Sequence, residues 1–184
     1  SNDAAQNDLN NPNRIIYEGD VFGYNYDATI CETGGWMQAM LAFDKIDLSL
    51  SAGLSNNSFF RDGKVRNGIF PENSFGKSEK KHFVQYDFKT SLTYKITGKH
   101  FLYASAAYQN KAPTFRDALI SPRTRNDFVP NLRTEKVAGV EGGYLMKSPD
   151  FKARAVIYYT QFRDKSRNIS FYNDDLNSFV NYSI

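Results

Sequence analysis

Cysteine, tryptophan and histidine are scarce in this chain. Its 184 residues include one cysteine, one tryptophan and two histidines. The single Cys31 excludes an internal disulfide, and it leaves a Cys/His metal site short of ligands. His82 and His100 both fall inside strand-like patterns, so we interpret them as structural residues. Since no catalytic constellation can be assembled, we predict a protein that is not an enzyme and uses no cofactor.

Long apolar runs, a signal pattern and basic tracts are also missing. No stretch approaches the roughly 20 apolar residues of a membrane-spanning helix. Segment 1–14 is a polar lead-in without the charged-then-apolar order of a signal peptide. The 23 basic and 20 acidic residues are interspersed and sum to +3, so we expect no nucleic-acid partner. Phosphate-binding loops are excluded too, because no GxGxxG spacing occurs.

Aromatic residues are abundant in a chain that is polar on average. The 12 Tyr and 15 Phe raise the aromatic share to 15%, while the mean hydropathy is −0.56. Disordered chains contain few aromatic residues, and Tyr and Phe favour strands. The composition therefore indicates a folded all-β protein.

Alternation of apolar and polar residues is the main structural signal. A period of two residues is that of a strand with one apolar and one polar face. One predicted apolar face carries Ile46, Leu48, Leu50, Ala52 and Leu54, and a second carries Val84, Tyr86, Phe88, Leu92, Tyr94 and Ile96. Further strands are predicted at 36–43, 101–108, 135–146 and 151–162, with weaker candidates at 17–30 and from 179 onward. No window has a helical period, so we predict an antiparallel up-and-down meander.

The connections between these strands alternate in length. Short turns are predicted at 44–45, 97–99 and 147–150, and long polar loops at 56–80, 110–133 and 165–178. Such alternation places every long loop at one end of the sheet. Outer-membrane barrels have this layout, and several of the strands reach the roughly 9–11 residues that a tilted membrane strand needs. The pattern favours a partial transmembrane β-barrel.

Two other folds also fit the alternation. A soluble β-sandwich or lipocalin-like barrel is one, and a small stand-alone outer-membrane barrel with an adhesive or structural role is the other. Aromatic residues near predicted strand ends favour the membrane folds, where they form girdles at the interface, although they also suit a sandwich core. These residues are Phe83, Tyr94, Phe101, Tyr108, Tyr144 and Phe162.

Three ordered segments carry a resemblance to a known family. They read LYASAAYQNKAPTFRDAL from residue 102, NLRTEKVAGVEGGY from residue 131 and ARAVIYYTQFRDK from residue 153. Together they resemble the barrel of TonB-dependent outer-membrane receptors. The matching positions are Pro113, Phe115, Asn131, Leu132, Glu135, Glu141, Gly143 and Asp164, whereas Thr134 stands where the family usually has proline. The stretches from Ile15 and Gly34 are similar to receptors associated with Bacteroidetes.

The resemblance implies a fold and a function. Residues 15–184 would be a C-terminal barrel portion of about seven or eight strands, truncated at both ends. The parent would import a siderophore, cobalamin or a glycan across the outer membrane of a Gram-negative bacterium. Its partners would be outer-membrane lipid, that small-molecule or glycan ligand, and TonB, which a missing N-terminal part would contact. This portion alone would transport nothing, and its matched residues would be structural.

Two groups of loop residues are candidates for binding. Arg116, Arg123, Arg125 and Asp127 crowd one long loop, and arginine can hold carboxylate or phosphate groups in bidentate fashion. They are candidate ligand contacts, and the alternatives are a solvated loop or one that binds lipopolysaccharide phosphates. Asp174 and Asp175 form an oxygen-rich, weak calcium candidate. Their spacing is not that of an EF-hand, so we predict no metal site.

Overall fold

The computed structural model describes residues 8–165, 168–173 and 178–183. The strands are β1 (Tyr26–Ala42), β2 (Ile46–Gly63), β3 (Gly76–Lys77), β4 (Lys81–Lys95), β5 (His100–Lys111), β6 (Glu135–Lys147), β7 (Lys152–Arg163), β8 (Asn168–Asn173) and β9 (Ser178–Ser183). A short helix, α1 (Phe115–Ala118), lies between β5 and β6. In the described part of the chain, no helix is long and apolar enough to cross a membrane.

The main sheet is an antiparallel meander. Its order is β1-β2-β4-β5-β6-β7, with β3 added at the end of β2, while β8 and β9 form a separate hairpin. The six long strands contain 12 to 18 residues each, more than the roughly 9–11 that span a bilayer. The prediction of an all-β partial barrel is confirmed. Within the described ranges the sheet is not closed, and β1 and β7 are its edges.

The register sorts the side chains of all six strands onto two faces. Leu50 lies opposite Ala39 on β1 and Thr90 on β4, and the same row continues through Ala106 and Val140. The apolar face carries Met37, Ala39, Leu41, Leu48, Leu50, Ala52, Leu54, Phe88, Leu92, Leu102, Ala106, Val140 and Ile157. The polar face carries Gln38, Ser49, Ser51, Gln85, Lys89, Ser91, Thr93, Gln109, Glu141 and Arg154.

Large side chains of the apolar face are exposed. Phe88 and Val140 are each 55% exposed, and Ile157 is 78% exposed. A β-sandwich would bury these side chains against a second sheet. A barrel wall in a bilayer instead turns such an apolar band outward to the lipid. The exposed apolar face therefore favours the membrane fold over the soluble sandwich.

Strand bounds differ from the sequence prediction at three places. β2 continues through Phe59 and Arg61 to Gly63, where we predicted a loop from residue 56, because alternation persists there with larger side chains on the polar face. β1 is one strand from Tyr26 to Ala42. The first part of the predicted strand 17–30 is therefore wrong, and so is the predicted separation of strands 17–30 and 36–43. The predicted loop 165–178 contains β8.

The predicted aromatic girdle is only half correct. Tyr94, Tyr108 and Tyr144 lie on the apolar face. Phe83, Phe101 and Phe162 share the parity of the polar face and lie on the opposite side of the wall. The prediction was wrong for these three because nearness to a strand end does not determine the face; the register does.

The two faces predict opposite responses to an added charge. Leu50→Arg places a cation on the apolar face and should impair barrel assembly, since arginine facing the bilayer midplane costs roughly 2–4 kcal/mol. Ser49→Arg, one residue away on the polar face, is the matched control and should assemble normally. The measurement is the fraction of heat-modifiable folded protein in outer-membrane fractions. Equal assembly of the two variants would contradict the assignment of the faces.

Candidate functional site

The buried hydrophobic cluster lies at the loop end of the sheet, the end from which connections 64–80 and 112–134 leave. Phe59, on the polar face of β2, is 1% exposed and packs edge-on against Phe115 of α1, with ring centroids 5.9 Å apart. Phe83 stacks on Phe59 at 5.5 Å. The cluster also contains Ala118, Leu119, Tyr26, Phe128 and Leu132. The connection 112–134 therefore folds over the polar face and is not simply a solvated loop.

Arg61 joins the two long loops. Its side chain is buried, with 1% exposure. Nε donates to the Pro122 carbonyl at 2.7 Å, and Nη1 donates to the Ser74 carbonyl at 2.8 Å. Nη1 also donates to the Asn126 side chain, and the guanidinium lies 5.0 Å from the centroid of the Tyr26 ring. Because a buried guanidinium needs its hydrogen bonds satisfied, these contacts fix both loops relative to β2.

Gly63 is required by the close approach of the first loop. A Cβ atom at this position would clash with the Ser74 carbonyl oxygen and with Nη1 of Arg61. Those two atoms are hydrogen-bonded to each other, so neither can move away without losing that bond. The glycine at the end of β2 thus makes room for the Arg61 contact.

A polar ladder ties the second loop to the wall. Gln85 accepts a hydrogen bond from the backbone N–H of Ala112 at 2.8 Å. Its amide nitrogen donates to Glu32 on β1 at 2.9 Å and to Ser55 on β2 at 3.3 Å. Glu32 also accepts from the Ser55 hydroxyl at 3.1 Å. Gln85 therefore has a structural role that its place in an alternating strand did not reveal.

A cavity of about 810 Å³ opens between the two loops. Residues 72–83 form one side and residues 126–132 the other. Its lining combines aromatic side chains with acidic, basic and amide groups, including Phe75, Phe128, Lys81, Asp127 and Asn131. Lys81 pairs with Glu79 at 2.8 Å and lies over the Phe128 ring. This cavity is the candidate ligand site.

The four predicted ligand contacts do not form one cluster. Arg125 and Asp127 form an ion pair at 3.5 Å, and of the four only Asp127 lines the cavity. Arg125 lies over the Phe70 ring and Arg123 over the Tyr24 ring, at 4.8 and 5.1 Å from the centroids. Arg116 is exposed on α1. Ligand contact by these residues stays a prediction, most direct for Asp127.

No metal centre is present in the described ranges. Among these residues, no three His, Cys, Asp or Glu side chains are grouped as metal ligands. The weak calcium candidates Asp174 and Asp175 lie outside the described residues.

The family of the chain is decided by a comparison with family models. Residues 1–183 match the model described as TonB dependent receptor-like, beta-barrel. The chain belongs to the TonB-dependent receptor family. Searches of curated proteins and of solved structures gave no match. The resemblance read from the sequence is confirmed, whereas the likeness to Bacteroidetes receptors and the boundary at residues 14 and 15 stay predictions.

Membership of this family indicates which face of the sheet lies toward the membrane. The family is one of transport receptors of the Gram-negative outer membrane, and such barrels face lipid with an apolar band and enclose a polar interior. The apolar face of this receptor chain is thus the lipid side, and the polar face is the lumen side. The loops held by Arg61 fold toward the lumen.

The family-motif residues near α1 serve packing and turns. Phe115 belongs to the buried cluster, Leu132 packs against it, and Pro113 directly precedes the helix cap Thr114. Asn131 has φ of 56°, a left-handed conformation that asparagine tolerates better than most residues. These positions shape the second loop of the receptor.

Two motif residues of β6, Glu141 and Gly143, lie in the wall of the sheet. Gly143 lies against Tyr103, whose ring atoms would be 2.6 Å from an added Cβ. The Tyr103 hydroxyl accepts from Nε of Arg154 at 2.9 Å, and Arg154 pairs with Glu141 at 3.6 Å. Glu141 thus contacts Arg154 through an ion pair, and its structural role stays a prediction.

Two further motif residues lie at the loop end of the wall. Glu135 is the first residue of β6, and Asp164 follows β7 with φ of 55°. The hydrogen bond from Lys136 to Asp164, 3.0 Å long, lowers the pKa of this carboxyl, and the charge of Arg133 acts in the same direction. Asp164 thus ends β7 with a left-handed residue whose carboxylate is bound to the neighbouring strand.

Loss of the Arg61 side chain should release both loops. Arg61→Ala leaves several carbonyl groups without their donor, and we expect local opening to become easier by roughly 3 kcal/mol. The measurement is limited proteolysis in connections 64–80 and 112–134, whose cleavage should accelerate about a hundredfold. The matched control, Arg154→Lys, changes an exposed arginine on the same face. Unchanged cleavage in Arg61→Ala would show that the loops are held by other contacts.

Substitution of Gly63 should disrupt the same contact between Arg61 and the first loop, and thermal stability should report the loss. Gly63→Ala forces the Ser74 carbonyl away from Arg61, and we expect a loss of roughly 1–3 kcal/mol, as for other overpacked sites. Thermal unfolding in detergent measures it as a lower Tm. Gly98→Ala is the control, because a Cβ there meets no atom within 4 Å. A Tm loss shared equally by both variants would refute the steric argument.

Proposed function

We propose that this chain forms wall and extracellular loops of an outer-membrane receptor that imports a scarce nutrient. The observation that carries the proposal is the cavity of about 810 Å³ at the loop end. It lies between two loops that Arg61 holds over the lumen side of the wall. A ligand captured there would be positioned at the entrance of the barrel.

The size and lining of the cavity support a small-molecule or glycan ligand. Binding sites for such ligands commonly enclose roughly 300–1,000 Å³ and combine apolar surface with a few polar groups. Phe75, which is 55% exposed, offers an open ring face, and Asp127 and Asn131 offer oxygen acceptors. A siderophore, cobalamin or a glycan fits this combination. In the proposed role Asp127 contacts ligand directly, while Arg123 and Arg125 shape the loop beside it.

The open sheet supports separate roles for this chain and for the other parts of the receptor. A lumen must be enclosed on all sides, and the described sheet leaves β1 and β7 as free edges. Transport would therefore need further strands that close the barrel, and this chain alone would not import ligand. As in other members of the family, we expect TonB to be a partner of the receptor. Its part is binding and enclosure, without catalysis.

Uptake assays with paired variants test the proposal. We expect cells with the double substitution Asp127→Asn and Phe75→Ala to lose uptake of one nutrient by about tenfold, since a lost hydrogen bond to a charged group weakens binding on that scale. The probes are radiolabelled ferric siderophores, cobalamin and oligosaccharides, offered separately to cells limited for each nutrient. Gene deletion gives the baseline.

Asp44→Asn, in the turn at the opposite end of the sheet, is the matched control and should leave uptake unchanged. Normal uptake of every probe by the double variant would refute the cavity as the ligand site. Normal uptake by the deletion strain would refute nutrient import itself.

A further inference from the structure

A second cavity lies on the opposite side of the wall. It encloses about 740 Å³ on the apolar face, across β1, β2, β4, β5, β6 and β7. Two neighbouring rows of the register form it: Met37, Ala52, Phe88, Tyr108, Ala138 and Gln161, and next to them Ala39, Leu50, Thr90, Ala106, Val140 and Tyr159. Four alanines among larger side chains create the depression, which we name the alanine groove.

The alanine groove has basic residues at its loop end. Lys136 and Arg163 are register partners and follow Ala138 and Gln161 on the same face, one step of two residues away, or about 7 Å. The Lys136 side chain is 43% exposed, and Arg163 is exposed as well. Two cations beside an apolar groove complement a molecule with an anionic head and an apolar tail.

A polar atom without a hydrogen-bond partner among the described residues lies in the same register row as Lys136 and Arg163. Asn110 lies between Tyr86 and Lys136 in the register and is only 8% exposed. Its Oδ1 is buried and accepts no hydrogen bond from the described residues. Buried acceptors of this kind cost free energy unless a donor reaches them. A hydroxyl or amine donor of a bound head group would satisfy it.

One carboxylate limits the positive charge at this place. Asp164 pairs with Lys136 at 3.0 Å and with Arg133 at 3.8 Å. One carboxylate, that of Asp164, thus lies near three basic side chains, those of Arg133, Lys136 and Arg163. The local net charge is therefore positive. This charge favours a phosphate group over a neutral head group.

We propose that the alanine groove binds one phosphate-bearing lipid of the surrounding membrane. An acyl chain lies along the alanines, the phosphate lies beside Lys136 and Arg163, and the head group donates to Asn110. The groove crosses the strands from β1 to β7 and reaches Lys136 and Arg163 on β6 and β7. This site is separate from the nutrient cavity, which lies on the lumen side, and it depends only on the orientation of the barrel.

Lipid retention measured on the purified receptor tests the proposal. The protein is extracted in a neutral detergent and titrated with phosphatidylglycerol or with a neutral diacylglycerol glycolipid, and native mass spectrometry counts bound lipid. We expect phosphatidylglycerol to be retained in preference to the glycolipid. Since each basic residue near an anionic lipid contributes about a fivefold gain in binding, Lys136→Gln with Arg163→Gln should reduce retention about 25-fold. Lys111→Gln, on the lumen face and outside the groove, is the control and should retain lipid as the unmodified receptor does.

A second variant tests the acyl-chain contact. Ala138→Phe fills the groove without altering charge and should also lower retention, while folding is checked by heat-modifiable mobility. Equal retention of both lipids, or unaltered retention in the double glutamine variant, would overturn the proposal. Full displacement of lipid by inorganic phosphate would identify an anion site without acyl recognition. Receptor dimers in place of bound lipid would assign the groove to a second copy of the chain.

Discussion

The structure depends on an antiparallel register that stays in phase across six strands. Because successive side chains point to opposite faces, a slip of one residue between any two strands would move apolar side chains into the lumen and serines into the lipid. Short turns hold the phase at one end: Phe43 donates its N–H to the Ile46 carbonyl at 2.8 Å, and Ser148 does the same to Phe151. Because each turn is only a few residues long, the two strands that it joins cannot pair in a shifted register.

The same register determines where the chain has a core. The lipid face needs no protein cover, so the buried cluster forms on the other side, around Phe59 and Phe115 at the loop end. Packing there is shared between wall and loops, so the loops are part of the folded unit. A soluble domain of this size would centre its core between layers; here the bilayer replaces one of those layers.

The sequence predicted the architecture well because the wall is periodic. Alternation around Leu50 and Phe88 has a strand period that needs no knowledge of distant contacts, and the short turns reveal the meander. The loop end was predicted poorly because its contacts join residues that are far apart in the sequence. Arg61 lies in the segment FFRDG, where we ended the strand early, and its partners at Ser74, Pro122 and Asn126 are 13 to 65 residues away. The one local signal was that Phe59 and Arg61 continue the parity of the polar face. Arg123 and Arg125 were candidate ligand contacts because charged residues are dense in their loop. Such density does not show which guanidinium is buried.

Arg61 recognises the loops mostly through their main chain. Three of its four hydrogen-bond acceptors, at Ser74, Pro122 and Arg123, are backbone carbonyl oxygens, which every amino acid supplies. Side chains at those positions can therefore change without loss of these bonds. Outside the buried cluster and Asn126, the loops that surround the cavity can thus diverge in sequence while their path over the lumen is kept. A receptor built this way can acquire a new ligand by substitutions alone, with its scaffold intact.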